Sequence, residues 1–182
     1  YVGLNSILSA NAQPYKVEPY CSATEMPDML NWYPAPPKDG SEEYIRDVKM
    51  YYWGKQQRLN PERAAISVRD AHYGLATIIR EFSAPFGLQV SWQDTPEIFK
   101  LLRDALATTD SICKLPKSKY MRPRPFVVFN EKTLTPKDEA SLRMNGSYPS
   151  GHTILGWSAA LLLMEINPEA ADTLLARGLM YL

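Results

Sequence analysis

Cysteine and histidine are scarce in this sequence, since each occurs only twice in 182 residues. The cysteines, Cys21 and Cys113, have none of the spacings that hold a metal ion. They can form one disulfide in an oxidising compartment or remain two free thiols, and the sequence does not choose between these states. No carboxylates or histidines cluster at ligand spacing either, so we predict no metal site.

The sequence also lacks an excess of charge of either sign and a long hydrophobic run. Lysine plus arginine equals aspartate plus glutamate at 20 each, which argues against a broad basic face and a nucleic-acid partner. The longest apolar run, roughly Ile154 to Ile166, is too short for a membrane span of about 20 residues, so we interpret it as a core helix. No charged segment followed by an apolar one begins the chain, so a signal peptide either has been removed or never existed.

The remaining composition is ordinary for a soluble globular protein, with 45% hydrophobic and 22% charged residues. This length is enough for one domain with a sizeable core. Residues 1–40 are rich in proline and tyrosine and show no periodicity, which predicts an extended arm across the rest of the protein. Its aromatic residues Tyr20, Trp32 and Tyr33 favour docking over disorder. Residues 41–182 form the predicted helical domain.

One pattern that starts helices recurs four times after the arm. An oxygen-bearing residue accepts from a free backbone N–H, proline follows at a position that needs no donor, and an acid complements the helix dipole. Two further helices are expected to begin near Glu42 and Ser150, and the only β-like run is RPFVVF at residues 124–129. The sequence therefore predicts an all-α protein. The four occurrences of the pattern are Asn60-Pro61-Glu62, Thr95-Pro96-Glu97, Thr135-Pro136-Lys137-Asp138 and Asn167-Pro168-Glu169.

The stretch KSKYMRPRPF concentrates positive charge, with Lys117, Lys119, Arg122 and Arg124 within eight residues. Each arginine precedes a proline, which disfavours the helical backbone, so the preceding helix should end before Arg122. The stretch can be a solvated basic loop. It can equally hold a fixed guanidinium for bidentate oxyanion binding.

The stretch NGSYPSGHT places a capping residue and a histidine before the apolar helix. Ser150 is a good N-cap, and Gly151 permits close approach of a ligand to the backbone. The N–H groups of Gly151, His152 and Thr153 would form an anion site at the helix N-terminus. There the imidazolium of His152 could donate a proton. The alternative is a capped helix that carries an ordinary histidine.

The two stretches together resemble a known pair of motifs. Lys117 is followed after six residues by Arg124-Pro125, and 23 residues further on by the sequence Pro-Ser-Gly-His at 149–152. This resembles the acid phosphatase superfamily that includes the type 2 phosphatidic acid phosphatases and the vanadium haloperoxidases. The similarity is closest to the bacterial class A non-specific acid phosphatases, in YMRPRPF, NGSYPSGHT, GW and EINP, and runs from about residue 30 to the end.

The resemblance implies a single-domain helical bundle that hydrolyses phosphate monoesters through a phosphohistidine. It implies that Lys117 and Arg124 bind phosphate oxygens, that Ser150 and Gly151 add hydrogen bonds, and that His152 protonates the leaving alcohol. No metal or other cofactor is then needed. It also implies a periplasmic or secreted protein that forms homo-oligomers and acts on small phosphate esters. Tyr148 and aromatics near Tyr73 are our candidates to contact the leaving group, and the preferred substrate stays open.

The third motif of that superfamily, S-R-x5-H-x3-D, is absent. Its histidine is the nucleophile, and the only histidine besides His152 is His72, which we interpret as a helix-surface or packing residue. The sequence ends within an amphipathic helix, so we expect a fragment whose nucleophile lies beyond residue 182. Two alternatives remain: a phosphate-binding module without catalysis, or a superfamily member with lipid phosphatase or vanadate-dependent oxidase chemistry. The lack of spanning segments counts against a membrane lipid phosphatase.

Overall fold

Helices make up the regular structure of the chain. The computed structural model describes residues 16–22, 25–26 and 28–181, and within these ranges it contains no strand. The all-α prediction is confirmed, and the β-like run at 124–129 forms part of a short helix instead. The helices are α1 (Met29–Trp32), α2 (Glu42–Gln57), α3 (Pro61–Asp70), α4 (Leu75–Phe86), α5 (Pro96–Ile112), α6 (Lys114–Tyr120), α7 (Pro125–Val128), α8 (Glu139–Leu142), α9 (Gly151–Ile166) and α10 (Ala171–Leu179).

The predicted helix starts are correct in position but not always in mechanism. Asn60 caps α3 by accepting from the N–H groups of Glu62 and Arg63. Thr95 and Asn167 do not cap with their side chains, although proline follows each of them. The side-chain amide of Asn167 instead donates to the Phe86 carbonyl, so this side chain makes a tertiary contact in place of a local cap. At Pro136 and Pro168 the chain first makes a 3₁₀ turn and then continues as α8 and α10.

The core lies among α4, α5, α9 and α10. Gly156 on α9 leaves space for the ring of Tyr181, just after α10, because a Cβ added at Gly156 would overlap that ring. The predicted apolar run is the central core helix α9, as expected. Within the described residues, no helix has the length and apolar character needed to cross a membrane. The fully buried core side chains include Ile78, Phe82, Leu102, Leu106, Leu155, Leu163 and Leu174.

The described part of the predicted arm contacts α5 through its backbone. The N–H of Glu18 donates to the buried carboxylate of Asp104 at 3.1 Å, and the N–H of Tyr20 donates to Thr108 at 2.8 Å. Of the side chains expected to dock, Tyr20 and Trp32 are instead exposed, by 60% and 73%, whereas Tyr33 is half-buried and its ring contacts that of Tyr148. Residues 1–15, 23, 24, 27 and 182 lie outside the described ranges, and the division into arm and helical domain stays a prediction.

The two cysteines are not bonded to each other. Cys21 is exposed on the arm, whereas Cys113 is buried between α5 and α6. Of the two states that the sequence left open, the structure has two free thiols.

Candidate active site

A cavity of about 680 Å³ lies where the ends of α3, α5 and α6 meet the start of α9. Four of the five predicted site residues line it: Lys117, Arg124, Gly151 and His152. Ser150 does not line it but caps α9, where its hydroxyl accepts from the N–H of Thr153 at 3.2 Å. Two stretches that are separate in the sequence thus meet at one cavity.

Carbonyl groups of the loop before α9 hold both cationic side chains. Lys117 donates to the Gly146 carbonyl at 2.9 Å. Arg124 uses its Nε to donate to the Leu142 and Asn145 carbonyls, each at 3.0 Å. Among the described residues neither cation forms an ion pair with a carboxylate. Two positive charges are therefore available to an anion in the cavity.

Burial of these cations lowers their pKa values, because the charged form loses hydration. Burial is the main cause for Lys117, and the nearby charge of Arg124 lowers its pKa further. Burial also lowers the pKa of Arg124. A bound anion would offset the loss of hydration that burial imposes on both charged side chains. The pair therefore favours an oxyanion over a neutral ligand.

One ring nitrogen of His152 makes a hydrogen bond, and the other has no partner among the described residues. Its Nε2 is buried and has no hydrogen-bond partner among the described residues, whereas the ring makes a hydrogen bond to the backbone of Ala71. Burial has the largest effect on the pKa of His152 and lowers it. The hydrogen bond to Ala71 and the charge of Asp70 raise this pKa, whereas the charges of Arg124 and Lys117 lower it. Burial thus disfavours the charged imidazole in the free protein, and a bound phosphate would raise its pKa.

A buried network that the sequence did not predict lies beside His152. Arg177 on α10 binds Asp70 at the end of α3 through two bonds of 2.9 Å and 2.6 Å. The hydroxyl of Tyr181 donates to the same carboxylate at 3.1 Å. Both Asp70 and Tyr181 line the cavity. No local pattern reveals the cluster, because Asp70 lies more than a hundred positions before Arg177 and Tyr181 and meets them only when α10 packs on the core.

The remaining candidates divide between the cavity and its surroundings. His72 follows α3, is exposed and lines the cavity, whereas the sequence suggested a surface or packing role on a helix. Tyr73 also lines the cavity and donates a hydrogen bond to Asp110. Tyr148 is not among the lining residues, and its hydroxyl donates to the Pro34 carbonyl. Arg122 points elsewhere and binds Asp47 at 2.7 Å.

Comparison with known proteins gives the family. Residues 102–182 match the family model of the PAP2 superfamily. The chain carries a PAP2 superfamily domain. It is 41% identical over 160 residues to the non-specific acid phosphatase of Providencia stuartii, covering 87% of this chain and 64% of that protein.

Two further relatives give the same result. The non-specific acid phosphatase of Salmonella typhimurium is 38% identical over 163 residues, 89% of this chain and 65% of the relative. The acid phosphatase of Zymomonas mobilis is 32% identical over 176 residues, 97% of this chain and 66% of the relative. The chain therefore spans slightly less than two thirds of the length of these curated relatives.

The PAP2 match contains both predicted motifs, while one wall of the cavity comes from residues before it. Lys117, Arg124 and the turn at 150–152 all fall within residues 102–182. Asp70 and Tyr73 precede the matched residues and line the same cavity. The matched residues thus contain both motifs, and the end of α3 with the segment after it completes the wall of the cavity.

Gly151→Ala should weaken anion binding at this cavity. A Cβ at position 151 would lie 2.7 Å from the hydroxyl of Tyr73, so the tyrosine or the start of α9 must move. We expect the Kd for orthophosphate, measured by calorimetry, to rise several-fold. Gly54→Ala is the control, because a Cβ there meets nothing within 4 Å and alanine favours the interior of α2 by about 1 kcal/mol. Equal Kd values for Gly151→Ala and the native protein would contradict the placement of the site.

Proposed function

We propose that the protein is an acid phosphatase that hydrolyses small phosphate monoesters. The observation that carries this proposal is the convergence on one cavity of two cations and a helix N-terminus with an imidazole nitrogen, where neither the cations have a carboxylate partner nor the nitrogen a hydrogen-bond partner within residues 16–22, 25–26 and 28–181. A phosphoryl group needs charge neutralisation on its oxygens and a proton for its leaving group, and these groups can supply both. The names of the relatives agree with this reaction.

Lys117, Arg124 and the first N–H groups of α9 would bind the phosphoryl oxygens. The side-chain cations neutralise the charge on the oxygens, and the backbone donors fix their orientation without reorganising during the reaction. The remaining donors of Arg124 are suited to this role because its Nε is already bound to carbonyl oxygens, which fixes the guanidinium plane. Charge neutralisation of this kind requires no metal ion.

His152 would act as the general acid. When a nucleophile attacks phosphorus, the bond from phosphorus to the ester oxygen breaks and the leaving oxygen takes the Nε2 proton. In the second step the neutral His152 accepts a proton from water as water attacks the phosphoenzyme, which releases orthophosphate. The backbone bond to Ala71 keeps the ring oriented while Nε2 gains and loses its proton.

The nucleophile in this proposal is a histidine in the part of the relatives' length that the chain does not span. Neither histidine of the 182 residues is suited to that role, because His152 is the proposed acid and His72 lies exposed at the cavity rim. Residues 1–182 alone should accordingly bind phosphate without turnover. If this chain, shown pure by mass spectrometry, released phosphate at the rate of the full-length protein, His72 would become the first candidate.

The full-length protein should hydrolyse p-nitrophenyl phosphate at mildly acidic pH in the presence of EDTA. The fixed cations and backbone donors perform the electrostatic role that a metal ion performs in other phosphatases. Phosphate release is measured with and without chelator, and orthovanadate should inhibit by occupying the same cavity. Loss of activity in EDTA that a divalent ion restores would contradict the mechanism. Binding of orthophosphate without any turnover would identify a binding module instead.

Cellular location and assembly follow from the resemblance alone. We infer a periplasmic or secreted enzyme that forms homo-oligomers. Hydrolysis of small esters from the surroundings suits a site of this size, which leaves room for a compact leaving group beside the phosphate. Fractionation of cells that express the full-length protein, followed by light scattering of the purified enzyme, measures both properties.

A further inference from the structure

The leaving group of a bound ester must lie near His152, and this inference therefore rests on the proposed function. Lys117, Arg124 and the start of α9 take the phosphoryl oxygens, and Nε2 of His152 must reach the ester oxygen. Whatever is attached to that oxygen then contacts the part of the cavity wall next to the imidazole. The side chains on that wall decide which leaving groups fit.

Tyr73 is the aromatic side chain on that wall. Its ring centroid lies 4.8 Å from that of His152, and the two planes meet at 73°. The residue remains 49% exposed although it lines the cavity. Among the other described residues that line the cavity, the only phenol is that of Tyr181, which is buried and bound to Asp70. Tyr73 thus offers an aromatic surface that a ligand can reach.

The ring of Tyr73 is held in place at its hydroxyl end. Its hydroxyl donates to the Asp110 carboxylate, which is itself paired with Lys114 at 3.3 Å. Burial, together with Asp110, raises the pKa of Tyr73, so the phenol stays a hydrogen-bond donor. Gly151 leaves space for the hydroxyl end of the ring, as the 2.7 Å approach of an added Cβ shows. A ring fixed in this way loses little freedom when a second ring stacks on it.

We propose that Tyr73 is a specificity-determining residue that favours phosphate esters with an aromatic leaving group. An aromatic ring on the ester oxygen can stack on Tyr73 while Nε2 of His152 protonates that oxygen. Elsewhere the described lining mixes polar residues, among them Thr135, Asp138 and Ser141, with the aliphatic Leu142 and Met180. An aliphatic leaving group of equal size can contact these two side chains but cannot stack face to face on the ring of Tyr73.

The test compares Tyr73→Phe with Tyr73→Leu in the full-length protein. The substrates are phenyl phosphate and hexafluoroisopropyl phosphate, whose leaving groups are similar in acidity but differ in aromatic character. Tyr73→Phe keeps the ring and should keep the ratio of kcat/KM for aryl over alkyl ester. Tyr73→Leu should lower that ratio about three- to tenfold, the range expected for one aromatic pair.

A binding measurement keeps the inference separate from the proposed function. Phenylphosphonate and cyclohexylphosphonate match in size and cannot be hydrolysed, so calorimetry reads the preference for an aromatic ring without turnover. We expect the native protein to bind phenylphosphonate more tightly and Tyr73→Leu to lose that preference. If no ester is hydrolysed but this preference appears and disappears as expected, the proposed function fails and the role of Tyr73 stands.

Tyr148→Leu is the matched control. Tyr148 also donates its hydroxyl to a neighbouring segment but does not line the cavity, so its removal should leave both ratios unchanged. Equal losses for aryl and alkyl ligands in Tyr73→Leu would show that Tyr73 only supports His152 and Gly151. That result, or a shift in Tyr148→Leu as large as that in Tyr73→Leu, overturns the inference.

Discussion

In the full-length protein, His152→Ala should slow the hydrolysis of alkyl phosphates by about 10²–10⁴-fold, the usual contribution of a general acid. An alkoxide leaves poorly unless it is protonated, and Nε2 of His152, which has no partner in the described part of the chain, can supply the proton. A nitrophenolate needs little such help, so p-nitrophenyl phosphate should lose much less. Steady-state rates for the two esters measure the difference.

The pH dependence gives a second measure of the same role. Burial lowers the pKa of His152, so the free enzyme holds the acid form only at acidic pH. For alkyl phosphates kcat/KM should fall as pH rises through this lowered pKa, and the fall should vanish in His152→Ala. His72→Ala is the control, because His72 lies exposed on the cavity rim. Equal losses for both esters in His152→Ala would exclude a role in protonating the leaving group.

Arg124→Ala should reduce kcat/KM by about 10²–10³-fold, the loss typical when one oxyanion donor is removed. Arg124 lines the cavity without a carboxylate partner among the described residues, so its charge serves the ligand. Arg122→Ala is a matched control, because both arginines precede proline and both bind another segment of the chain. Arg122 forms an ion pair with Asp47 outside the cavity, so Arg122→Ala should change the rate only several-fold.

Stability has to be separated from catalysis in this comparison. Each substitution removes a contact between segments: Arg124 binds the carbonyls of Leu142 and Asn145, and Arg122 binds Asp47. Thermal unfolding of both variants shows whether the loss of rate follows a loss of structure. Similar rates for the two folded variants would mean that Arg124 does not contact the phosphoryl group.

The local chemistry of the chain is enough to predict most helices. Asn60 and Ser150 start α3 and α9, because each side chain caps its helix by accepting from nearby backbone N–H groups. The β-like run at 124–129 is the exception. Its apolar residues match a strand by composition, but Pro125 begins the four-residue helix α7 and buries Phe126. Composition alone does not distinguish a short buried helix from a strand.

The sequence by itself determined the two motifs that carry the proposed anion-binding groups, since Lys117, Arg124 and the turn at 150–152 belong to short stretches with fixed internal spacing. Tertiary structure alone decided what surrounds them. Asp70, Tyr73 and Tyr181 reach the cavity from α3, the segment after it and the end of α10, and each position depends on how helices pack. Local spacing encodes a motif because neighbouring residues share one backbone path. A wall built from distant segments has no such pattern, because only burial of the core brings its parts together.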